Sequence, residues 1–297
     1  MRYVPFVSPR VLLVLLALPL VTACGGGDGA NASPRDGGTD ADAGLPGDDA
    51  GGSPSGDSGS HLPYFGTVYF EESYQGDKSS TAQITAGPQP TRGSFPLPGQ
   101  ACAAPGISAG PCCYRPNLTD GNGAPPSLAG AIVESIGNTT LADLVPDGIG
   151  YPFANNLAWM PGDTFSVRAT GGAIHAFTGS VVAPAPIAGL SLSASISVRV
   201  PMSSDLAVSW TAGNATTVSL VVYGPVDPTG ATDSNIACFV DDSAGAMTVP
   251  TALLAHMPGG SGSWFVWRMN TATTTCDNAA IGLLAEVEST GGIELVP

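Results

Sequence analysis

The sequence predicts an all-β protein, a β-sandwich set behind an export signal and a long polar spacer. Three observations carry that expectation. From residue 62 onward, hydrophobicity alternates with a period of two in short runs. Forty glycines and 27 prolines help to punctuate the chain, at turn spacing of about ten residues rather than helix spacing. Charged residues make up only 11%, with Lys78 the single lysine, too few to dress the solvent faces of a helical protein.

The amino-terminal segment divides into three parts. Arg2 and Arg10 give a positive start, residues 11–23 (VLLVLLALPLVTA) are uncharged and apolar, and small residues precede Cys24. An apolar run of 13 residues is too short to cross a hydrocarbon core, which needs about 20. Pro19 sits where the apolar helix of a signal peptide tends to break. Val21-Thr22-Ala23-Cys24 resembles the lipobox of bacterial lipoproteins, whose usual form is Leu-Ala/Ser-Gly/Ala-Cys. The resemblance implies that residues 1–23 are a signal peptide and that signal peptidase II recognises Val21, Thr22 and Ala23. It further implies that the Cys24 thiol takes diacylglycerol and its amino group an acyl chain such as palmitate. Two or three chains anchor durably where one does not. Gly25 stands where enterobacterial lipoproteins carry the aspartate of inner-membrane retention, so the expected location is the outer membrane or cell surface.

Residues 24–61 form the lipidated cysteine and its tether. Residues 25–61 hold seven aspartates, one arginine and almost nothing large and apolar, so no burial offsets the ordering entropy and the segment is expected to be disordered. As a Gly/Ser-like coil it spans roughly 30–37 Å. Two short matches inside it are rejected. Gly56-Asp57-Ser58-Gly59 lacks the flanking strands, His and Asp that a serine nucleophile needs. Asp40-Ala-Asp42-Ala-Gly44 lacks the further acids of a calcium loop. Lipobox, Gly/Asp/Ser tether and β-rich ectodomain, with GGAIHAF at 171–177 and VPTALL at 249–254, together resemble surface lipoproteins of Myxococcota-type bacteria. No activity is attached to that group, so the resemblance implies location alone.

Net charge is −15, and loss of Arg2 and Arg10 leaves 7 basic against 24 acidic groups, or −17. Such a surface repels phosphates, and nucleic acid is excluded as a partner. The expected partners are the membrane, through the lipid, and a carbohydrate or protein ligand; the sequence does not set an oligomeric state.

The ectodomain divides at Pro184 and Pro186. Residues 62–182 carry expected strands at 66–71, 80–86, 131–136, 164–170 and 173–182, with a Pro/Gly-rich insertion at 87–126. Residues 183–297 carry the cleanest alternation, LSLSASISVRV at 190–200, followed by strands at 206–210, 218–222, 236–240, 263–269 and 281–287. A helical turn is expected over 248–256, with Pro250 near its start. With Trp210 closing a strand where such folds bury a tryptophan, this half resembles an immunoglobulin or fibronectin-III-type module. One large sandwich and two tandem ones both fit.

Five cysteines follow Cys24, and an exported protein oxidises them where geometry allows. Cys238 and Cys276, on later strands, are the expected long-range bridge. Cys102 is expected to staple the insertion to Cys112 or Cys113, between which spacing does not choose; five is odd, so one thiol is left over.

No catalytic motif appears. The three histidines, His61, His175 and His256, are dispersed, and neither CxxC pairs nor HExxH is present for zinc. His175 reads as a half-buried strand residue. Asp227, Asp233 and Asn235, with Asp241 and Asp242, make oxygen-rich loops that recommend calcium weakly, since Asp, Asn and Gly are also the residues of turns. No cofactor is expected otherwise. For a glycan ligand, Trp159 in LAWMPGD is the expected exposed ring, while Trp264 and Trp267, three apart, face opposite sides of a strand. The expected function is non-catalytic binding or an envelope role. The competing class is a secreted carbohydrate-active hydrolase, whose two carboxylates, drawn from acids such as Glu71, Glu72, Glu134 and Asp163, only folding would bring together.

Overall fold

The computed structural model describes residues 64–86, 106–116, 129–147, 150–225 and 234–297. The signal peptide, Cys24, the tether, Cys102, Asp227 and Asp233 lie outside them. The described chain is all-β, built as one broad sheet carrying two smaller layers on one face.

The broad sheet has ten strands. Nine follow one path, from β3 (Ile107–Ala109) through β4 (Cys112–Arg115), β13 (Asn235–Asp241), β12 (Thr217–Tyr223), β15 (Gly260–Cys276), β16 (Ala279–Val296), β1 (Tyr64–Glu72) and β2 (Lys78–Ala86) to β7 (Ala154–Asn155). The tenth, β10 (Val198–Pro201), pairs with the far end of β16. Strands from both sides of residue 183 share this sheet. The antiparallel hairpin β15–β16 is its spine: β1 runs parallel to the first half of β16, and β12 antiparallel to the first half of β15.

Side chains alternate across the sheet, so register assigns each one to a face. On the first face, Val68 and Phe70 of β1 join Ala279, Ile281, Leu283 and Ala285 of β16. A four-stranded sheet covers them, in the order β6 (Thr139–Leu144), β5 (Ile132–Ile136), β8 (Thr164–Ala169), β9 (Phe177–Val182). Phe70 stacks on Phe165 at 4.1 Å between centroids, and Trp159 meets Phe165 edge-on at 5.1 Å. Farther along the same face, Val218, Leu220, Val222, Ile236, Trp264 and Val266 are covered by the two-stranded antiparallel sheet of β11 (Leu206–Ser209) with β14 (Ala246–Val249) and by the single-turn helix α1 (Thr251–Leu254). Pro250 is the N-cap of that turn, as its fixed φ allows.

The two layers are joined to the sheet by a buried ionic hub. Arg268 is 1% exposed and Asp242 1%. Arg268 donates Nε and Nη2 to Asp242 Oδ1 at 3.2 and 3.0 Å, and Nη1 to the Pro186 carbonyl at 2.9 Å. Asp242 Oδ2 accepts the Gly213 and Ala215 amides, and Trp210 Nε1 donates to Oδ1 at 3.0 Å. A buried charge pair is tolerated when its lone pairs and protons are satisfied in this way. Gly213 is required here, because a Cβ would stand 2.7 Å from Arg268 Nη1.

One expected strand is not formed. Of residues 190–200 only Val198–Pro201 pairs, while 191–197 runs through bends and a turn with Ile196 66% exposed. At its start Ser191 bonds Ser209 of the neighbouring strand, its Oγ accepting the Ser209 amide and its own amide donating to the Ser209 carbonyl, each at 2.9 Å, and the Ser193 and Ser195 hydroxyls meet at 3.0 Å. Alternation records the polarity of each position and not whether a partner strand lies alongside. Strand β9 likewise starts at Phe177, so His175 precedes it and lies exposed rather than half-buried in a strand.

Candidate functional site

Cys238 bridges Cys112, not Cys276. The two sit opposite one another on neighbouring strands β13 and β4, with Cα atoms 4.0 Å apart. Cys276 ends β15, two strand steps across from β13 and ten residues beyond the level of Cys238, and keeps its thiol, which donates to the His175 carbonyl at 3.6 Å. Cys113 is also disulfide-bonded, to a partner outside the described residues. Cys112 and Cys113 thus point to opposite faces of β4, which adjacent residues of a strand must do.

Trp159, the expected exposed ring, is 6% exposed. It packs on Phe165, and the Lys78 ammonium lies 5.3 Å above its ring while donating to its carbonyl at 2.7 Å. The Pro-Gly turn that suggested exposure turns the backbone outward and the indole inward. Asn235 sits buried in β13, so the calcium trio contributes no exposed ligand from its described member. Trp264 and Trp267 do face opposite sides of the sheet, Trp264 among the first-face core and Trp267 on the second face.

The four acids named from sequence go separate ways. Glu72 pairs with Lys78 at 3.3 Å. Asp163 accepts the Met160 amide at 2.6 Å and closes a turn. Glu134 of β5 is wholly buried on the first face, with Oε2 accepting the Ser80 hydroxyl at 2.6 Å, Oε1 without a partner, and its pKa raised by burial to about 7. Glu71 alone joins other carboxylates. It is in register with Glu286 on β16, and Glu288 lies two residues on, on the same second face. Burial raises Glu288 to about 7, with the Glu71 charge adding and a hydrogen bond from the Trp267 side chain opposing. Glu286 is held well above the carboxylate range by burial, then by Glu71 and Glu288. Burial also pushes the Tyr69 phenol up.

Sequence reasoning missed Glu286 and Glu288. The signal was present: in the otherwise apolar stretch 281–288 they occupy i and i+2, one face of a strand. Their approach to Glu71 depends on a parallel pairing between residues more than two hundred positions apart, which no local pattern encodes. The triad can hold and share protons. Among the described residues, no group of three His, Cys, Asp or Glu side chains is arranged to hold a metal ion.

The class defined at this point is an all-β, disulfide-bonded layered sandwich. No family model matches the chain, and no curated protein does. Among solved structures, it aligns with the fibronectin(III)-like modules of CbhA from Clostridium thermocellum at 12% identity, over 77% of this chain and 93% of that one, with a TM-score of 0.19.

Proposed function

We propose that this chain is a membrane-anchored surface lipoprotein whose sandwich serves as a non-catalytic binding or structural component of the envelope. The observation that supports the non-catalytic reading is how the charged side chains are used. Arg268 and Asp242 join layers, Lys78 and Glu72 pair beside Trp159, Asp163 closes a turn, and His175 pairs with Asp277 at 3.3 Å. The anchor rests on Val21-Thr22-Ala23-Cys24, and the Cys112–Cys238 bridge supports maturation in an oxidising compartment.

Labelled palmitate fed to expressing cells tests the anchor. The wild-type chain is expected to take up label and sediment with membranes, and Cys24→Ala to do neither; a Cys24→Ala protein that stays labelled overturns the proposal. The hydrolase reading has one specific observation behind it, the approach of Glu71, Glu286 and Glu288. Hydrolysis of a polysaccharide panel that is lost in Glu288→Gln would replace the non-catalytic reading with it.

A further inference from the structure

The hairpin that joins β5 to β6 carries Asn138-Thr139-Thr140, an Asn-X-Ser/Thr triplet, which is the acceptor pattern for N-linked sugar on exported chains. Ile136 stands opposite Thr139, so Gly137 and Asn138 form a two-residue turn, with Gly137 at φ +57°, the glycine-first order that such hairpins favour. Residues 137–140 are exposed without a break. Among the described residues, neither the Asn138 amide nor the Thr140 hydroxyl has a hydrogen-bond partner. A second triplet, Asn214-Ala215-Thr216, is committed at both ends: Asn214 Oδ1 accepts the Ala185 amide at 2.9 Å, and Thr216 Oγ1 donates to the Met269 carbonyl at 3.1 Å. The triplets that begin at Asn31 and Asn117 lie outside the described residues.

We propose that Asn138 is a glycosylation site, its side-chain amide taking a sugar from a glycosyl pyrophosphate, and that Asn214 is not; the inference rests on the export of this chain proposed above. The first argument is access. A side-chain amide nitrogen is a weak nucleophile, because its lone pair is shared with the carbonyl. A transferase must therefore surround the amide and hold the hydroxyl two residues on, and both groups have to be bare. At 138–140 they are, and at 214–216 each already serves the fold. The step balances without an oxidant or reductant. The Asn138 Nδ2–carbon bond forms at the anomeric carbon as the bond from that carbon to the pyrophosphate oxygen breaks; the leaving group takes the electron pair, and one amide proton passes to a base of the transferase.

The second argument is position. The other end of this layer, by Phe177, is tied to the β15–β16 turn, where the His175 amide donates to Asn278 beside Ala279, the register partner of Tyr64. The hairpin tip lies at the opposite end. Val182, one pairing step from Thr164, is held there by Asn270, level through Ala285 with Phe70. Tyr64 and Phe70 are six residues apart on β1, roughly 20 Å, so the tip projects away from the end at which the chain enters the sheet from its amino-terminal side. A sugar there clears every layer interface. Turn preference accounts for Gly137 and Asn138, and strand preference for the two threonines. Neither preference requires that amide and hydroxyl stand unbonded together at a projecting tip, and a two-residue tip frays readily enough to enter an enzyme.

Mass spectrometry of the full-length protein, purified from cells that naturally make it and fragmented so that sugar–peptide bonds survive, tests this. Sugar mass is expected on Asn138 and none on Asn214. Asn138→Gln and Thr140→Val should abolish it, whereas Thr139→Val, the same exchange at the middle position, should keep it. Thr140→Ser restores a hydroxyl and should restore the sugar, which separates recognition of the triplet from any loss of folding. Bare Asn138 on chains that carry labelled palmitate overturns the proposal and leaves the export reading intact; bare Asn138 on chains without lipid that keep residues 1–23 overturns both. Sugar on Asn214, or sugar retained in Thr140→Val, overturns the access argument. A chain lacking residues 1–23 and held in the cytosol distinguishes the donors. No sugar is expected on it if the pyrophosphate is lipid-linked, and sugar on it overturns the dependence on export and assigns a nucleotide-linked donor.

Discussion

Glu134 offers the sharpest test of the packing described above. The perturbation is Glu134→Gln, which keeps the side chain's shape and removes its ability to ionise. The carboxyl is wholly buried between β5 and the broad sheet, with one oxygen bonded to Ser80 and the other unpartnered, and burial holds its pKa at about 7 against an ordinary 4.5. The folded state therefore binds this proton more tightly than the unfolded chain does, by about 3 kcal/mol at about 1.36 kcal/mol per pH unit. Because the folded value is raised, the stabilisation is complete below about pH 4.5, is lost as pH rises towards 7, and is absent above it. Glutamine behaves as the protonated acid at every pH. Near pH 4 the variant should lie within about 1 kcal/mol of wild type, the scale of one rearranged hydrogen bond with Ser80. At pH 8 it should be more stable by about 2–3 kcal/mol. Denaturant unfolding of non-lipidated Cys24→Ser protein, with and without Glu134→Gln, at pH 4 to 8 measures this directly. A stability difference that stays constant across that range refutes a buried, protonated Glu134.

Two further outcomes follow from the cross-links. Asp242→Ala leaves Arg268 charged and 1% exposed with no counter-ion and removes the acceptor of the Gly213 and Ala215 amides, so denaturant midpoints should report a loss of about 3–5 kcal/mol. Cys238→Ala opens a bridge of sequence separation 126, for which the chain-entropy relation gives about 4–5 kcal/mol; a loss below about 1 kcal/mol would mean that the unfolded chain is held compact without it.

How far the sequence foretold this structure depends on where each strand lies. The covering strands were legible because they alternate: β8 buries every second residue from Phe165, and β11 and β14 do the same. Residues 190–200 alternate better than any of them, yet mostly do not pair, since alternation records polarity and not the presence of a partner strand. Trp159 was misjudged because a Pro-Gly turn fixes the path of the backbone and not the side on which the indole falls. The Cys112–Cys238 bridge was beyond reach because it depends on β4, a four-residue strand in the Pro/Gly-rich insertion, pairing with β13.

One signal in the sequence has more meaning once the sheet is known. At the centre of the sheet, TVSLVVY in β12 and NIACFVD in β13 do not alternate; each contains five consecutive buried residues. A strand with one face in water cannot afford such a run, whereas a strand covered on both faces requires it. The two layers account for the Val218, Leu220, Val222, Ile236 and Cys238 side only. Val221, Ala237 and Phe239 on the other side are as apolar and as buried, so the same selection for an apolar environment acts on the second face. A partner that binds reversibly would leave those side chains in water for part of the time, at roughly 25 cal/mol for each Å² exposed. The unbroken apolar runs of β12 and β13 are what a sheet buried on both faces requires.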